Sequence, residues 1–477
     1  MADPRNDLPR QLGERCFVDD DQQRFAAESH DFNPMHVDAV AARRLLSGRQ
    51  VVHGVHTLIQ ALDLWQPPAG ADGWSVQCNF AHPVNVGDRV DFTATQNAQG
   101  RHRLSAVVEG LVSTDVVLRR VEGEAGPSGL GDAPARPIGP LAAPLDEPAH
   151  AWVDQCLEIV PWQDRLATWY PRAAALVGAA ALTDLARLSF VVGMVCPGLH
   201  SVFSSLQFAP TGLAARAPLR LKVTRYDPRF RMFFIAFRGA VQGELRAFLR
   251  PPPQAQPRAA ELVGRVEPRS WAGRRALVVG GSRGLGELMA KMLAAAGCYV
   301  TISHARGGDD AMAVAEDILS LGAGQCDTVA LDLSRSFEPP QALRAAELDA
   351  VFYFATPRIQ TKRSGVFHRG AFDEFAGFYL ERFYELCLWL EGGGRPVRVY
   401  LPSTVFVTER PRGMTEYAMA KAAAELLADD LNRTLRHVRI VHTRLPRLAT
   451  DQTASITPLA TADNVGALLE VMQAMRD

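Results

Sequence analysis

An acid, an amide and an imidazole lie close together near the N-terminus of this chain of 477 residues. Asp31, Asn33 and His36 fall within the stretch FAAESHDFNPMHVD (25–38), and Pro34 interrupts any helix between them. A carboxyl group and an imidazole held on a turn can transfer protons to and from a substrate carbon and oxygen. A turn that only caps a helix is the alternative for so short a pattern. We predict that Asp31 and His36 form an acid–base pair.

A glycine further along the chain could serve the same chemistry. The stretch VVHGVHTLIQAL (51–62) places Gly54 at the start of a predicted helix. Amides at a helix N-terminus donate well to an oxygen that gains negative charge, such as a carbonyl that becomes enolate-like. We therefore predict that the Gly54 amide is an oxyanion donor.

Together these two stretches resemble the MaoC-like hot-dog hydratases and dehydratases. The positions that match the pattern of that family are Phe25, Ala26, Ser29, Asp31, Asn33, Pro34, His36, Asp38, His53 and Gly54. The resemblance implies that Asp31 and His36 activate or expel water across the 2,3-bond of an acyl thioester. It also implies that Asn33 positions the pair and that Gly54 holds the thioester carbonyl. His30 departs from the small residue usual in the family, which would narrow the site.

A glycine-rich loop lies between a strand pattern and a helix pattern in the C-terminal part of the chain. ALVVGGSRGLG (276–286) has the spacing of a loop that lets the backbone approach a pyrophosphate, whose charge the helix N-terminus favours. The loop residues that we expect to bind a dinucleotide are Gly280, Ser282, Arg283, Gly284, Leu285 and Gly286.

The next predicted strand, YVTISHAR (299–306), contains no acidic residue that could bind a ribose 2′-hydroxyl. Ser303 and Arg306 lie at its end, and with Arg283 they form a basic setting that favours a 2′-phosphate. The sequence therefore predicts NADP(H) as the cofactor. Further cofactor-binding residues are expected at Asp332, Leu333, Ala355, Pro446 and Thr450.

Tyr417 and Lys421 are four residues apart in EYAMAK and would share one face of a helix. The ammonium would lower the pKa of the phenol, which could exchange a proton with a substrate oxygen during hydride transfer. A surface tyrosine and lysine one turn apart is the common alternative. This chain has only four lysines (222, 291, 362 and 421), and their rarity favours a functional role for Lys421.

These C-terminal features resemble the short-chain dehydrogenase/reductase family over residues 274–477. The resemblance implies catalytic roles for Tyr417 and Lys421. A third catalytic hydroxyl falls on Ser403, which has the usual identity, or on Thr404, which has the usual spacing. The family's catalytic asparagine is Tyr379 here, which predicts slow or differently routed turnover. A degenerate reductase that only binds cofactor is the alternative.

Two stretches rich in Pro and Gly, 122–149 and 251–270, divide the chain into predicted domains 10–121, 150–250 and 271–477. The last of these alternates short apolar strands with helices, which predicts a Rossmann-like, doubly wound parallel sheet. The chain is thus expected to combine α+β and α/β domains.

The first two domains are related to each other. A constant offset of 144 pairs Gly54 to Thr57 with Gly198 to Ser201, and the runs that follow, LIQALDLW and VFSSLQF, are both predicted as helices. Alternating hydrophobicity at 88–119 and 219–249 then predicts antiparallel strands in each domain. We expect a double hot dog made of two tandem halves.

The second copy lacks the chemistry of the first. At the offset of 144, Asp31 corresponds to Ala175 and His36 to Ala180. We therefore expect the second half to be catalytically degenerate and to shape the acyl tunnel. A second active site that uses His200 is the weaker alternative.

Composition excludes several classes of protein. Hydrophobic residues at 47% and charged residues at 22% are ordinary for a globular protein, and a net charge of −1 argues against nucleic acid or membrane surfaces as partners. No apolar run is long enough for a membrane helix. Seven scattered cysteines without a C-x-x-C pair predict reduced thiols, a cytoplasmic location and no metal site.

The two predicted activities share an intermediate. Reduction of a 3-oxoacyl thioester would give a 3-hydroxyacyl thioester, of (R) configuration by the resemblance, which the first domain could dehydrate to a trans-2-enoyl thioester. The NADP(H) preference favours this direction over hydration followed by oxidation. A carrier-protein docking scaffold with one dead site is a further alternative. The thioester could be carried by coenzyme A or by an acyl carrier protein, and a homodimer is compatible with this assignment.

Overall fold

The computed structural model of this chain describes residues 9–45, 48–68, 73–97, 101–120, 130, 134–213, 217–322, 324–359, 366–453 and 459–476. The chain forms two compact units, one of residues 1–252 with 455–457 and one of residues 253–454 with 458–477. The stretch 251–270, which we predicted to divide two domains, is partly built into the second unit. Ala259, Leu262 and Val266 are buried in the core of the second unit, because a short helix there packs its apolar side chains inward.

The first unit is built on one sheet of eleven strands. The strands are β1 (Arg10–Cys16), β2 (Trp74–Phe80), β3 (Arg89–Gln96), β4 (His102–Val108), β5 (Leu111–Arg120), β6 (Arg136–Ile138), β7 (Cys156–Ile159), β8 (Ser201–Pro210), β9 (Leu219–Asp227), β10 (Met232–Arg238) and β11 (Val241–Leu249). Their order in the sheet is β1-β3-β4-β5-β2-β8-β11-β10-β9-β7-β6. β6 comes from the predicted linker 122–149 and runs parallel to β7, so this linker contributes a strand. Residues 122–129 and 131–133 of that linker lie outside the described residues.

The two halves of this sheet repeat one topology, as the double hot dog predicts. The order β1-β3-β4-β5-β2 in the first half corresponds to β7-β9-β10-β11-β8 in the second. β2 and β8 join the halves, and Gln77 pairs with Gln207 at their centre. The last three strands of each half alternate buried and exposed side chains, which confirms the antiparallel strands predicted from period-2 hydrophobicity.

A buried central helix lies in each half. The helices of this unit are α1 (Asp19–Ser29), α2 (Pro34–Val37), α3 (Ala39–Ala42), α4 (Gly54–Leu64), α5 (Leu166–Trp169), α6 (Pro171–Val177) and α7 (Ala179–Phe190). A π-helical segment, Val191–Val195, extends α7. α4 and α7 are apolar on nearly all sides and bury most of their residues in one core shared by both halves.

The predicted offset of 144 is wrong for most of the repeat. Gly54 begins α4, whereas Gly198 follows α7, and VFSSLQF lies in strand β8 and not in a helix. The equivalent strands β4 and β10 begin at His102 and Met232, an offset of 130. Between the first strand and the central helix, the first half has residues 17–53, whereas the second has only 160–178. One constant offset fails because this segment is shorter in the second half.

The shortened segment is the one that carries Asp31 and His36 in the first half. Residues 160–178 contain no histidine. Ala175 and Ala180, which the constant offset had aligned with the acid–base pair, lie on α6 and α7 and do not occupy its equivalent position.

The second unit is a doubly wound parallel sheet, as predicted. Its strands are β12 (Arg275–Val279), β13 (Tyr299–His304), β14 (Gln325–Ala330), β15 (Ala350–Tyr353), β16 (Val397–Thr404) and β17 (Val438–Leu445). Its helices are α8 (Ala259–Leu262), α9 (Gly284–Ala295), α10 (Gly308–Leu319), α11 (Arg369–Ala376), α12 (Arg382–Glu391), α13 (Phe406–Glu409), α14 (Thr415–Thr434) and α15 (Asn464–Ala474). The sheet order is β14-β13-β12-β15-β16-β17, so the chain reverses direction across the sheet between β12 and β15. Ligands of such sheets bind beyond the carboxyl ends of the strands at this point.

Among the described residues, no single helix combines the length and the apolar composition needed to cross a bilayer. One strongly bent pair, Pro171–Val177 with Ala179–Val195, meets that criterion only when its members are taken together.

Candidate active sites

The segment with Asp31 and His36 folds into a turn followed by α2. Pro34 occupies the first helical position, and the Asn33 side chain caps the helix by accepting a hydrogen bond from the Met35 amide at 3.2 Å. The backbone N–H of Asn33 donates to Asp31 Oδ1 at 3.3 Å. Asp31 is 2% and His36 8% exposed. The structure therefore brings the predicted acid and base together in a buried site.

The imidazole of His36 is held in one orientation by the backbone and by a second histidine. Its Nδ1 lies 2.6 Å from the Val51 carbonyl, which can only accept, so Nδ1 carries a proton and Nε2 is the basic nitrogen. The rings of His36 and His53 stack with centroids 3.9 Å apart. His53 Nδ1 is 3.0 Å from Gln22 Oε1, and its Nε2 is 3.0 Å from the Asp31 carbonyl oxygen.

The donor atoms of Asp31, His36 and His53 all lie within 4.8 Å of one another, a spacing that could hold a metal ion. Both ring nitrogens of His53 face oxygen atoms of the protein, as given above. His53 therefore links Gln22 to the backbone of Asp31. These contacts leave Asp31 and His36 available for acid–base chemistry.

The second half of the sheet contributes directly to this site. Ser189, near the end of α7, donates to Asp31 Oδ2 at 2.7 Å. Asn33 Nδ2 donates to the Gly193 carbonyl at 2.7 Å. A Cβ atom at Gly193 would overlap the Asp31 carboxylate, so only glycine leaves room for it. Sequence reasoning missed Ser189 and Gly193, because nothing in LARLSFVVGM marks them as partners of a residue so distant in the chain.

Burial changes the proton affinities of the pair in opposite directions. Loss of solvation raises the pKa of Asp31, although the charge of His36 and the Ser189 hydrogen bond oppose this rise. Loss of solvation lowers the pKa of His36, although the Asp31 charge opposes the fall. The neutral imidazole can accept a proton, and the carboxyl group holds a proton more readily than one in water.

Gly54 begins α4, as predicted, so its amide stands at the N-terminus of a buried helix. A Cβ atom at this position would lie 3.1 Å from the ring of Phe80, which is closer than a side chain tolerates without movement. Phe80 in turn contacts Phe203 of the second half, with ring centroids 5.2 Å apart. The absence of a side chain at Gly54 thus lets the ring of Phe80 pack against the N-terminus of α4.

The glycine loop of the second unit wraps tightly between β12 and α9. Gly280 has a φ of +80°, and a Cβ atom there would lie 2.9 Å from the Ala355 amide nitrogen, beyond the end of β15. A Cβ atom at Gly286 would overlap the Gly280 carbonyl. α9 begins at Gly284, and Ser282, Arg283 and Leu285 complete the turn into the helix.

Ser303 forms a hydrogen bond with this loop. It is buried, and its hydroxyl accepts a hydrogen bond from the Gly280 amide at 3.1 Å. Arg306 is exposed after the end of β13. A hydrogen bond from the Ser334 amide lowers the pKa of the exposed Asp332, and the charge of Arg306 lowers it further. Arg306 and Asp332 therefore lie near each other.

The other predicted cofactor residues follow the ends of neighbouring strands. Leu333 is buried after β14, Ala355 lies against Gly280, and Pro446 is exposed after β17. The Thr450 methyl group lies 3.9 Å from the position that a Cβ atom of Gly284 would take. The parallel sheet thus places all of these residues at its carboxyl edge.

Thr404, and not Ser403, faces the predicted catalytic tyrosine. The Thr404 side chain hydrogen-bonds Tyr417. Ser403 donates its hydroxyl to Glu425, whose carboxylate also pairs with Arg444 at 2.6 Å. Both partners lie on α14, so the two neighbouring hydroxyl groups contact the same helix at different positions.

Lys421 lies one turn after Tyr417 on α14, as predicted, but its ammonium contacts another ring. Its Nζ donates to the Pro402 carbonyl at 2.7 Å and lies 3.7 Å from the ring centroid of Tyr379, against 5.9 Å for Tyr417. Burial raises the pKa of Tyr417 to about 12 and lowers the pKa of Lys421 to about 7. The pKa of this phenol is therefore raised and not lowered as we expected, because burial outweighs the effect of a cation at that distance.

Tyr379 belongs to a π-helical segment, Gly377–Glu381, which joins α11 to α12. Its hydroxyl forms a hydrogen bond with Thr356, and its ring lies edge-on to Tyr417 with centroids 6.1 Å apart. The sequence showed that a tyrosine replaces the usual asparagine. Its contact with Lys421 depends on the packing of α14 against this segment and had no sequence signal.

Two family models match this chain. Residues 3–117 match the MaoC like domain, and residues 274–351 match the short chain dehydrogenase family. None of the curated proteins matches the chain.

Solved structures similar to this chain include three dehydrogenase-type proteins. A 3-oxoacyl (acyl-carrier-protein) reductase from Agrobacterium tumefaciens with NADP bound is 23% identical, over 39% of this chain and 74% of its own, with a TM-score of 0.33. A short chain dehydrogenase from Burkholderia cenocepacia in complex with NADP is 24% identical, over 43% and 91%, with a TM-score of 0.34. The oxidoreductase yciK from E. coli is 17% identical, over 44% and 93%, with a TM-score of 0.37.

The chain is a fusion of a MaoC-like domain at its N-terminus and a short-chain dehydrogenase domain toward its C-terminus.

Proposed function

We propose that this chain is a bifunctional enzyme that reduces a 3-oxoacyl thioester with NADPH and dehydrates the resulting (R)-3-hydroxyacyl thioester to the trans-2-enoyl product. The observation that carries the proposal is the buried pair of Asp31 and His36, oriented by Ser189 and by the Val51 carbonyl. The 3-hydroxyacyl thioester is the product of one step and the substrate of the other. The acyl group would be carried by coenzyme A or by an acyl carrier protein.

The dehydratase site can remove a proton from C2 of the substrate and supply a proton to the hydroxyl group at C3. His36, whose pKa burial lowers, takes the proton from C2 through Nε2. Asp31, whose pKa burial raises, protonates the departing 3-hydroxyl group, so that water leaves as the 2,3-double bond forms. The Gly54 amide binds the thioester oxygen as it gains charge, and Asn33 fixes the segment that holds both groups.

In the second unit, Tyr417 is the group that protonates the ketone oxygen. NADPH supplies the hydride when it is bound. The Thr404 side chain hydrogen-bonds the Tyr417 phenol, and the Lys421 Nζ lies 5.9 Å from the centroid of the Tyr417 ring. Ser403 is assigned no catalytic role, because its hydroxyl is engaged by Glu425.

The residues at the carboxyl edge of the parallel sheet fit a dinucleotide with a 2′-phosphate. The Gly280–Gly286 loop leads into the N-terminus of α9, where we expect the pyrophosphate to bind. We expect Arg306, which is exposed beyond β13, and Arg283, which immediately precedes α9, to be the cations that bind the 2′-phosphate. This basic setting supports NADP(H) and hence the reductive direction.

The decisive test compares two variants of the full chain on two substrates. Asp31→Asn should lower hydration of a crotonyl thioester by at least ~10², the lower range for general acid–base catalysis, and leave NADPH-dependent reduction of an acetoacetyl thioester unchanged. Tyr417→Phe should lower the reduction of the acetoacetyl thioester and leave hydration of the crotonyl thioester unchanged. In each variant, the activity that is retained shows that the protein is folded.

Steady-state kinetics on coenzyme A thioesters, with thermal unfolding of each variant, would measure these effects. Wild-type hydration by Asp31→Asn would show that the acid–base assignment is wrong. Wild-type ketone reduction by Tyr417→Phe would show that Tyr417 is not the proton donor, and absence of NADPH-dependent reduction by the wild-type protein would contradict the reductase function.

A further inference from the structure

A buried arginine borders the pair of Asp31 and His36. Arg250 directly follows β11 and is only 9% exposed. Its Nη2 donates to the Leu199 carbonyl at 3.0 Å, and the same oxygen accepts a hydrogen bond from Asn33 Nδ2 at 3.3 Å. One carbonyl oxygen therefore separates the guanidinium from the residue that lies between the proposed acid and base in the chain.

The charge of this arginine is not balanced by an ion pair in the described part of the chain. Among the residues that the structure describes, no carboxylate forms an ion pair with Arg250, and its Nε has no hydrogen-bond partner. Burial lowers the pKa of Arg250 to about 10, so the side chain is still charged at neutral pH. A buried cation without a counter-charge is costly, and an anion that arrived with a ligand would reduce this cost.

The imidazole of His200 lies next to Arg250. The Arg250 amide donates to the His200 carbonyl at 2.9 Å, and the buried Nδ1 of His200 has no hydrogen-bond partner within the described part of the chain. Burial lowers the pKa of both His200 and His36, and the charge of Arg250 adds to this effect, so the guanidinium lies within electrostatic reach of the two rings. The Nε2 of His200 lies 3.9 Å from Asp146 Oδ2, and its Nδ1 donates a hydrogen bond beside the arginine in the tautomer that carries the proton on Nδ1.

We propose that Arg250, assisted by His200, binds an anionic oxygen group of the thioester substrate at the Asp31–His36 site. The proposal rests on the dehydratase function proposed above. The remaining N–H groups of the guanidinium would form charge-assisted hydrogen bonds to that group, which are stronger than those between neutral partners. A thioester can present such oxygens in two places: a phosphate of its coenzyme A or carrier tail, or a carboxylate on its acyl chain.

Three thioesters distinguish these two sources. Crotonyl-coenzyme A carries phosphates, crotonyl-N-acetylcysteamine carries no anion, and glutaconyl-N-acetylcysteamine carries only an acyl carboxylate. For each enzyme preparation the measured quantity is the ratio of kcat/KM between an anionic thioester and crotonyl-N-acetylcysteamine. This ratio does not depend on the fraction of correctly folded protein, so it remains valid for a destabilised variant.

Arg250→Met should lower one of the two ratios by at least about tenfold, because a lost charge-assisted hydrogen bond affects only the anionic substrate. A fall of the ratio for coenzyme A identifies the tail phosphate, and a fall of the glutaconyl ratio identifies an acyl carboxylate. Arg250→Lys should keep part of the preference, because it keeps the charge and loses the planar fork. Arg238→Met, which removes an exposed arginine at the end of β10, is the matched control and should leave both ratios unchanged.

Unchanged ratios in Arg250→Met would overturn the proposal, even if all three rates fell equally, since that would show a structural role for the arginine. A wild-type protein that hydrates none of the three thioesters would instead contradict the proposed dehydratase function. The two failures are therefore distinguishable.

Discussion

Asp31 receives its side-chain hydrogen bond from Ser189, a residue of the half that lacks an acid–base pair of its own. This bond holds Oδ2 in place and stabilises the ionised carboxylate that remains after proton transfer. A buried carboxylate that loses such a donor also keeps an unsatisfied oxygen. Ser189 is therefore a positioning residue of the dehydratase site.

Ser189→Ala should lower kcat for dehydration by about tenfold, the order expected from one hydrogen bond to a charged group, with little change in KM. The NADPH-dependent activity should stay at the wild-type level. Ser113→Ala, which changes a similarly buried serine of β5, is the matched control and should affect neither activity. Steady-state kinetics with both substrates is the measurement, and an unchanged kcat in Ser189→Ala would contradict the assigned role.

Arg306 determines the choice between NADPH and NADH in our proposal. The wild-type protein should bind NADPH at least tenfold more tightly than NADH, a difference of about 1.4 kcal/mol. Arg306→Ala should reduce that preference, because its guanidinium is the exposed cation beyond β13. Fluorescence titration with both nucleotides would measure it, and Arg439→Ala on the exposed side of β17 is the control. Equal affinity of the wild-type protein for both cofactors would remove the argument for the reductive direction.

At the scale of elements, π-helical segments accompany both sites in the described part of the chain. Val191–Val195 brings Gly193 against the Asp31 carboxylate, and Gly377–Glu381 brings the Tyr379 ring over Lys421. A π turn adds a residue to a helix and rotates the side chains that follow, and such turns occur frequently at functional sites. In both units an irregular helix therefore places a group that a regular helix would point elsewhere.

The packing of α14 against the second of these segments predicts an unusual lysine. Lys421 should lose its proton near pH 7, far below the ~10.4 of a free lysine, because burial disfavours its charged form. Carbon-13 labelling of the lysines, of which the chain has four, should show one ε-carbon resonance that titrates near pH 7 and is absent from Lys421→Arg.

Tyr379→Leu should move this titration to still lower pH, because it removes the cation–π contact that favours the ammonium. Phe375→Leu removes a ring that contacts Tyr379 and Tyr417, and it is the control that should leave the titration in place. A Lys421 resonance that titrates near pH 10 would show that the ammonium is solvated and that the ring does not cover it.

At the scale of the whole molecule, the chain divides into two units that each have their own buried core. The core of the first unit includes side chains from both halves of the eleven-stranded sheet. This shared core explains why the second half keeps its apolar helix and strands although it lacks the acid–base segment. A half that only filled space would not need Ser189 and Gly193 at the site of its neighbour.

The sequence alone determined the features that depend on short stretches of chain. The turn with Asp31, Asn33 and His36, the glycine loop before α9, and the spacing of Tyr417 and Lys421 on α14 follow from local rules of backbone geometry and helix periodicity. The period-2 strands and the parallel sheet followed from hydrophobic patterning. The constant offset between the halves failed because a deletion between β7 and α7 leaves no local mark.

Only the tertiary structure decided which distant side chains meet. Ser189 reaches Asp31 because β2 and β8 join the halves of one sheet and bring α7 to the first site. Thr404 contacts Tyr417 and Ser403 contacts Glu425, because the end of β16 packs against α14, which carries both partners. Arg250 borders Asn33 through the carbonyl of Leu199. Such contacts depend on the packing of whole elements, which the pattern of neighbouring residues does not encode.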